Sequence, residues 1–196
     1  MLQNFESLVL IWLGIGFITF ITLLKIPAPY GKFSKTNWGP MIPSKLGWIV
    51  MEIISPLALL YFFLNGNIEK TPTNITFISL WTLHYFNRSV IYPLRQNNPA
   101  QMPLIIAVLA FLFNVMNGYI NGTYFGSIQE YSAEYMSNWN FIVGVCLFIF
   151  GAYINIKSDN ILLSLRSKSG EYKIPEGFMF RYCLLYTSPS PRDRSS

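Results

Sequence analysis

The stretch LGWIVMEIISPLALLYFFL, residues 46–64, contains a single charged side chain, Glu52. A helix needs roughly 20 mostly apolar residues to cross the hydrocarbon of a bilayer. This run therefore predicts a membrane span with a carboxyl group inside it. Four further runs have the same character: Ser7 to Leu24, Ile75 to Leu94, Met102 to Ile120 and Phe141 to Ile156. The whole chain agrees with them. Of its 196 residues 52% are hydrophobic, 17% aromatic and only 12% charged, about half the charged share of a soluble domain, and mean hydropathy is +0.37. Such a composition argues against a soluble enzyme, a disordered chain or a disulfide scaffold. It predicts an all-α, polytopic membrane helical bundle with about five spans.

The charge of +5 does not point to nucleic acid. The basic residues sit in short loops between apolar runs, where they act as a topology signal, so membrane lipid is the expected surrounding. Lys25, Lys32, Lys35 and Lys45 fill the first loop, Arg95 the third, and Lys157, Arg166, Lys168 and Lys173 follow the fifth span. These regions are expected to be cytosolic. Glu6, Glu69 beside Lys70, Glu130 and Glu134 mark the opposite, lumenal side, with the N-terminus there. Lys25-Ile26-Pro27 follows the first run with no small-residue cleavage site, so that run is expected to be a retained helix and not a signal peptide. The segment Asn160 to Arg166 is too short to cross and is expected to form a short interfacial helix.

The sequons Asn74-Ile75-Thr76 and Asn121-Gly122-Thr123 lie so near predicted spans that glycosylation is not expected. Asn87-Arg88-Ser89 falls inside one. Cys146 and Cys183 form no framework and show no metal-ligand spacing. From Cys183 the chain reads CLLYTSPSPRDRSS, an abrupt change in composition. The expected organisation is a membrane domain over 1–182 followed by a non-native or disordered tail over 183–196.

Ionisable groups inside a span are expensive and are functional candidates by default. Glu52 stands one turn before Pro56, which opens the local backbone hydrogen bonding. Away from water its charged form is disfavoured, so it is expected to act as a neutral hydrogen-bond donor, although a structural pairing with a neighbouring arginine would also account for it. In the third run Tyr85, Arg88 and Tyr92 share one stripe, and His84 also reaches Arg88. A guanidinium there suits a phosphate. Lone His84 reads as a hydrogen-bonded core residue. Asn155 and Asp159, one turn apart, could bond ribose hydroxyls or a base edge, and a solvated helix end explains them equally well. No Gly-rich dinucleotide loop, Walker loop or metal cluster is present in the sequence.

In their order, these pieces resemble the steroid 5α-reductase family of endoplasmic-reticulum membrane enzymes over Lys25 to about Tyr182. The matching residues are Tyr30-Gly31-Lys32, Trp48 to Glu52, His84 to Arg88 with Tyr92-Pro93, Asn117-Gly118-Tyr119, Ile154 to Asp159, Ile161-Leu162, Leu165-Arg166 and Tyr172 to Pro175 before Gly177. The resemblance implies NADPH-dependent reduction of the 4,5 double bond of a 3-oxo-Δ4-steroid. It also implies that Glu52 and Tyr85 polarise the carbonyl, and that Tyr30, Arg88, Asn155, Asp159, Arg166, Tyr172 and Lys173 serve the NADPH site. No metal is implied.

The chain departs from the family at Met51, where steroid-active members often have Gln, and at Gly177-Phe178-Met179-Phe180, where Gly-Gly-Leu-Phe is common. The family continues beyond Tyr182 with further nucleotide-binding residues, so weak or absent NADPH binding is expected of this chain. Polyprenol and very-long-chain enoyl-CoA reductases share the implied fold. An S-adenosylmethionine-dependent isoprenylcysteine methyltransferase type would not need the Glu and Tyr pair. A truncated, non-catalytic membrane protein is the remaining alternative.

Overall fold

Two short segments that end in proline organise the bundle. Pro43 closes the strand β1 (Met41–Pro43) and Pro103 closes β2 (Gln101–Pro103); a helix starts at the next residue each time, α2 (Ser44–Leu64) and α5 (Leu104–Thr123). Proline lacks an N–H that the first helical turn would leave unpaired in any case, so it suits this junction. β1 and β2 pair antiparallel, with Met41 opposite Pro103 and Ile42 opposite Met102. The Leu104 N–H donates to the Pro40 carbonyl at 2.8 Å and extends the ribbon. No periodicity in three-residue strands announces such a pair in the sequence. Its consequence is topological, because the residues that follow the first and third loops meet and start α2 and α5 side by side.

The computed structural model describes residues 2–26, 38–96, 101–169, 175 and 177–182. They fall into two compact units, Met1–Pro93 with Pro99–Ala133 and Leu94–Asn98 with Glu134–Ser196.

In the first unit α2 and α5 run parallel in close contact. Gly118, Gly122 and Gly126 recur every four residues and bring the backbones together. A Cβ at Gly118 would lie 2.6 Å from Ala58 Cβ, one at Gly122 2.6 Å from the Leu59 carbonyl oxygen, and one at Gly126 2.8 Å from that of Phe62. Small residues at a helix seam are how membrane helices gain packing when lipid offers no hydrophobic drive. Around the ribbon, Trp48, Met51, Met102 and Ala107 form one buried cluster. Toward the other end Leu59, Phe63 and Ile78 form a second.

Helix α3 (Pro72–Phe86) starts on Thr71, whose Oγ1 accepts from the Asn74 N–H, with Pro72 in the first turn. Its start is fastened to the segment that follows α5: Thr73 Oγ1 donates to the Ser132 carbonyl at 2.7 Å and Asn74 Nδ2 to that of Phe125, in the π-helical turn Tyr124–Ile128, at 3.2 Å. α3 passes through a π-helical turn, Asn87–Ile91, into a last turn α4 (Tyr92–Leu94). Pro93 supplies the reason: it cannot donate to the Ser89 carbonyl and its ring crowds that group, so the helix widens just before it. The Tyr92 N–H then reaches back to Asn87. Helix α1 (Leu2–Lys25) meets α5 where the Trp12 and Phe113 rings lie 5.8 Å apart. Its long apolar surface is otherwise exposed, as befits a helix that faces lipid.

The second unit is built on α6 (Trp139–Ser169), 31 residues long. At 1.5 Å per residue it spans about 46 Å, well beyond the hydrocarbon thickness of about 30 Å. The separate interfacial helix expected over Asn160 to Arg166 is thereby corrected, since those residues continue α6. Lys157 and Asp159 interrupt the apolar run but do not interrupt a helix, and no Pro or Gly occurs between Ala152 and Ser169. Among the described residues four helices are long and apolar enough to cross a membrane: Leu2–Lys25, Ser44–Leu64, Leu104–Ile128 and Trp139–Leu165. The fifth expected span is helical from Pro72 to Leu94, but His84, Asn87, Arg88 and Ser89 make it too polar to count by composition. The fold is an all-α polytopic membrane bundle.

Candidate functional site

Three contacts join α2, the α3 run and α5 at one level. The first links Arg88, in the π turn, to Glu52 of α2, with Nε 3.9 Å from Oε1. At that separation the pair is a charge contact and not a hydrogen bond. The Arg88 guanidinium also lies over the Trp48 ring, 4.5 Å from its centroid, and 5.1 Å from that of Tyr92. Trp48 and Tyr92 themselves meet edge to face at 6.0 Å. Arg88 is therefore set by planar stacking as well as by charge, a role that lysine could not fill. Its placement depends on the wide turn that Pro93 imposes.

The second contact links α3 to α5. Asn117 Nδ2 donates to the Tyr85 hydroxyl oxygen at 3.4 Å. The phenol ring is fixed by Trp81, stacked at 5.3 Å, and by His84, edge-on at 5.4 Å. The third contact links α5 back to α2, where Asn114 Nδ2 donates to the Met51 carbonyl at 2.7 Å in the buried core. Asn114 and Asn117 are one turn apart, as are Tyr85 and Arg88, and Met51 adjoins Glu52. The triangle thus brings both carbonyl-polarising candidates, Glu52 and Tyr85, to one level of the first unit. Its sides carry hydrogen-bonding groups in a setting where water is scarce, which strengthens each of them.

Sequence reasoning missed the amides. Asn114, Asn117 and Asn121 follow the spacing of one helix face inside an apolar run, and that pattern was a legible signal. Weighing only charged groups passes over it. Trp48 and Tyr92 entered as parts of motifs, without their stacking role.

Two hollows border α1 in this unit. One of about 470 Å³ lies among Leu8, Trp12, Ile15 and Met116. The other, about 430 Å³, lies among Phe5, Phe62, Asn65, Tyr119 and Ser127. Neither is lined by Glu52, Tyr85 or Arg88.

In the second unit Asn155 and Asp159 stand one turn apart on α6. Asp159 is 7% exposed. The Asn155 Oδ1 is buried and has no hydrogen-bond partner among the described residues. Arg95 Nη2 donates to Asn160 Oδ1 at 2.7 Å. The 3-10 turn Phe178–Tyr182 begins with Phe178 at φ +48°, against Lys157 and Tyr153 of α6. The backbone of Arg166 belongs to α6, while its side chain lies outside the described residues, as do Tyr30, Tyr172, Lys173 and the tail 183–196. Among the described residues no three His, Cys, Asp or Glu side chains gather as a metal set.

Comparison with known proteins supplies a family. A family model described as 3-oxo-5-alpha-steroid 4-dehydrogenase matches residues 100–186. Steroid 5-alpha-reductase DET2 of Gossypium hirsutum is 38% identical over 170 residues, covering 83% of this chain and 65% of that protein. DET2 of Solanum lycopersicum is 35% identical over 182 residues, 91% of this chain and 71% of the relative. 3-oxo-5-alpha-steroid 4-dehydrogenase 1 of Bos taurus is 31% identical over 185 residues, 90% and 71% of the two chains. The chain therefore spans about two thirds of the length of these relatives. With this similarity extending across α2, α3 and α5, and so across every residue of the triangle, the chain belongs to the steroid 5-alpha-reductase family.

Proposed function

We propose that the protein reduces the 4,5 double bond of a 3-oxo-Δ4-steroid, with NADPH as reductant and the carbonyl held by Glu52 and Tyr85. The observation that carries this reading is the convergence of Glu52, Arg88 and Tyr85 at one level of three packed helices. The names of the relatives support the steroid as substrate class, in preference to a polyprenol or an enoyl-CoA.

The chemistry asks for donors at one oxygen. When bound, NADPH supplies the hydride that adds to the β-carbon of the enone. As the double bond is consumed, charge develops on the carbonyl oxygen, and donors aimed there stabilise the transition state more than the ground state. Tyr85 presents a hydroxyl proton, and Glu52 presents one in its neutral form. Arg88 stands at a charge-contact distance from Glu52, Nε to Oε1 at 3.9 Å. The surrounding spans exclude water, which protects the enolate and admits a lipophilic substrate from the bilayer.

On α6, Asn155 and Asp159 fit the nucleoside end of the cofactor. The buried Asn155 Oδ1 suits a ribose hydroxyl or a base amine as its donor, and the Asp159 carboxylate suits a second. Arg88 and Arg166 are proposed for phosphate, and Tyr30, Tyr172 and Lys173 complete the set. The membrane is proposed to be the endoplasmic reticulum, with the N-terminus lumenal and the cofactor site cytosolic. The ribbon supports that topology, because it joins the ends of two loops expected on one side.

The test is product analysis on membranes carrying the full-length native protein with NADPH. A 3-oxo-Δ4-steroid, a polyprenol-type enone lipid and a long-chain enoyl-CoA are supplied separately. Steroid gaining two hydrogens across the 4,5 bond is the expected result. Reduction of either other substrate in its place would overturn the assignment.

A further inference from the structure

The amides of α5 lead to the Tyr85 hydroxyl. The Asn121 amide nitrogen donates to the backbone carbonyl of Asn117 at 2.9 Å and to Asn117 Oδ1 at 3.1 Å. A backbone carbonyl can only accept, so the atom of Asn121 that touches it is the nitrogen. The atom of Asn117 that receives the second bond must then be its oxygen. Asn117 is thereby held with its NH₂ toward Tyr85, and Nδ2 meets the hydroxyl oxygen at 3.4 Å. A phenol oxygen that accepts from Asn117 cannot give that neighbour its own proton.

We infer that Asn121 and Asn117 form an orienting relay that leaves the Tyr85 proton directed at the substrate carbonyl. Both are positioning residues, since neither needs to touch the substrate. This inference rests on the proposed role of Tyr85 as a donor. Each bond in the series Asn121, Asn117, Tyr85, carbonyl runs donor to acceptor in one direction, so each polarises the next. Without the relay the hydroxyl has two choices. An amide turned the other way would present Oδ1 to Tyr85 and compete with the substrate for its proton.

The experiment reads the hydrogen bond directly and does not depend on turnover. A 3-oxo-Δ4-steroid labelled with ¹³C at the carbonyl is bound to the full chain in detergent, and the carbonyl stretch is followed by infrared difference spectroscopy. In the parent protein the band should lie below its position in an apolar solvent, and Tyr85→Phe should move it back part of the way. Asn117→Leu should also move it back, and this shift should vanish when Tyr85 is already Phe. Asn121→Leu, though a residue removed from Tyr85, should move the band at least as far as Asn117→Leu, because the freed amide can turn over. Circular dichroism checks that each variant is folded, and Asn121→Leu carries the test if Asn117→Leu does not fold. A folded Asn121→Leu with the parent band, where Tyr85→Phe shifts it, would overturn the relay alone. A parent band that is unshifted, or insensitive to Tyr85→Phe, would overturn the donor role of Tyr85 beneath it.

Discussion

Arg88 reaches Glu52 across two helices, Nε to Oε1 at 3.9 Å, from a turn that is wider than an α-helical one because Pro93 follows it. Ionisable groups in a bilayer pair with one another or face a polar cavity, and this pair does so beside an aromatic clamp. It bears out the reading of Glu52 as the partner of a neighbouring arginine. The contact, at 3.9 Å, is longer than a hydrogen bond, and the donor role of Glu52 stays a proposal for kinetics to decide.

Substitution should separate the donors from the scaffold. In the full-length protein Glu52→Leu and Tyr85→Phe, each of which removes the side-chain donor, are expected to lower turnover on the order of 10²–10³-fold, the usual effect of deleting a donor to a developing oxyanion. NADPH affinity should stay within about threefold of the parent, because neither residue is proposed to hold the cofactor and threefold is well under 1 kcal/mol. Steady-state kinetics together with a cofactor titration checks both halves. Parent-like turnover in both variants would remove the oxyanion assignment.

The glycine seam makes a prediction about stability. A methyl group at Gly118 or Gly122 would press on α2 backbone, which cannot turn aside as a flexible side chain can. Gly118→Ala and Gly122→Ala should each cost about 1–3 kcal/mol by overpacking. Gly144 and Gly151 of α6 have nothing within 4 Å of the same position. Alanine there should be neutral or slightly stabilising, since it favours the helix by roughly 1 kcal/mol over glycine. Thermal melts in detergent distinguish the pairs, and equal melting temperatures for all four variants would contradict parallel close packing of α2 and α5.

These cases show what the chain made readable. Long apolar runs marked the helices because lipid imposes length and composition together, so Leu46 to Leu64 was predicted within two residues of α2. The short ribbon escaped because three residues carry no period, and its register depends on a partner about sixty positions away. Asn160 to Arg166 misled because charge ends an apolar run without ending a helix. At the candidate site Glu52, Tyr85 and Arg88 were legible as costly groups in a span. The orienting amides were not singled out, since an asparagine becomes informative only once its donor and acceptor ends are known to face particular partners.

Glycosylation offers a simple check on the placement of two sequons. Asn74 is wholly buried, and its Nδ2 is committed to the Phe125 carbonyl. Asn121 lies within α5 with its amide bound to Asn117. A glycan needs that same nitrogen, exposed on a surface loop, so neither site should be modified. Treatment with an endoglycosidase should leave electrophoretic mobility unchanged. A shift that disappears in Asn74→Gln or Asn121→Gln would mean that the segment is exposed during synthesis.

Arg88 provides the sharpest separation of charge from shape. Its guanidinium lies 4.5 Å from the Trp48 ring centroid and 5.1 Å from that of Tyr92, stacking that a planar guanidinium makes and an ammonium does not. Arg88→Lys keeps the positive charge near Glu52 but loses the planar guanidinium and most of the stacking, worth about 0.5–2 kcal/mol for each cation–aromatic contact. If Arg88 holds a cofactor phosphate through its guanidinium, NADPH should bind about tenfold more weakly to Arg88→Lys in the full-length protein, a change of about 1.4 kcal/mol, and more weakly still to Arg88→Ala. Titration by cofactor fluorescence measures both. Lysine that matches arginine would reduce the role of Arg88 to charge alone, and unchanged affinity in Arg88→Ala would remove it from the cofactor site and leave it as the partner of Glu52.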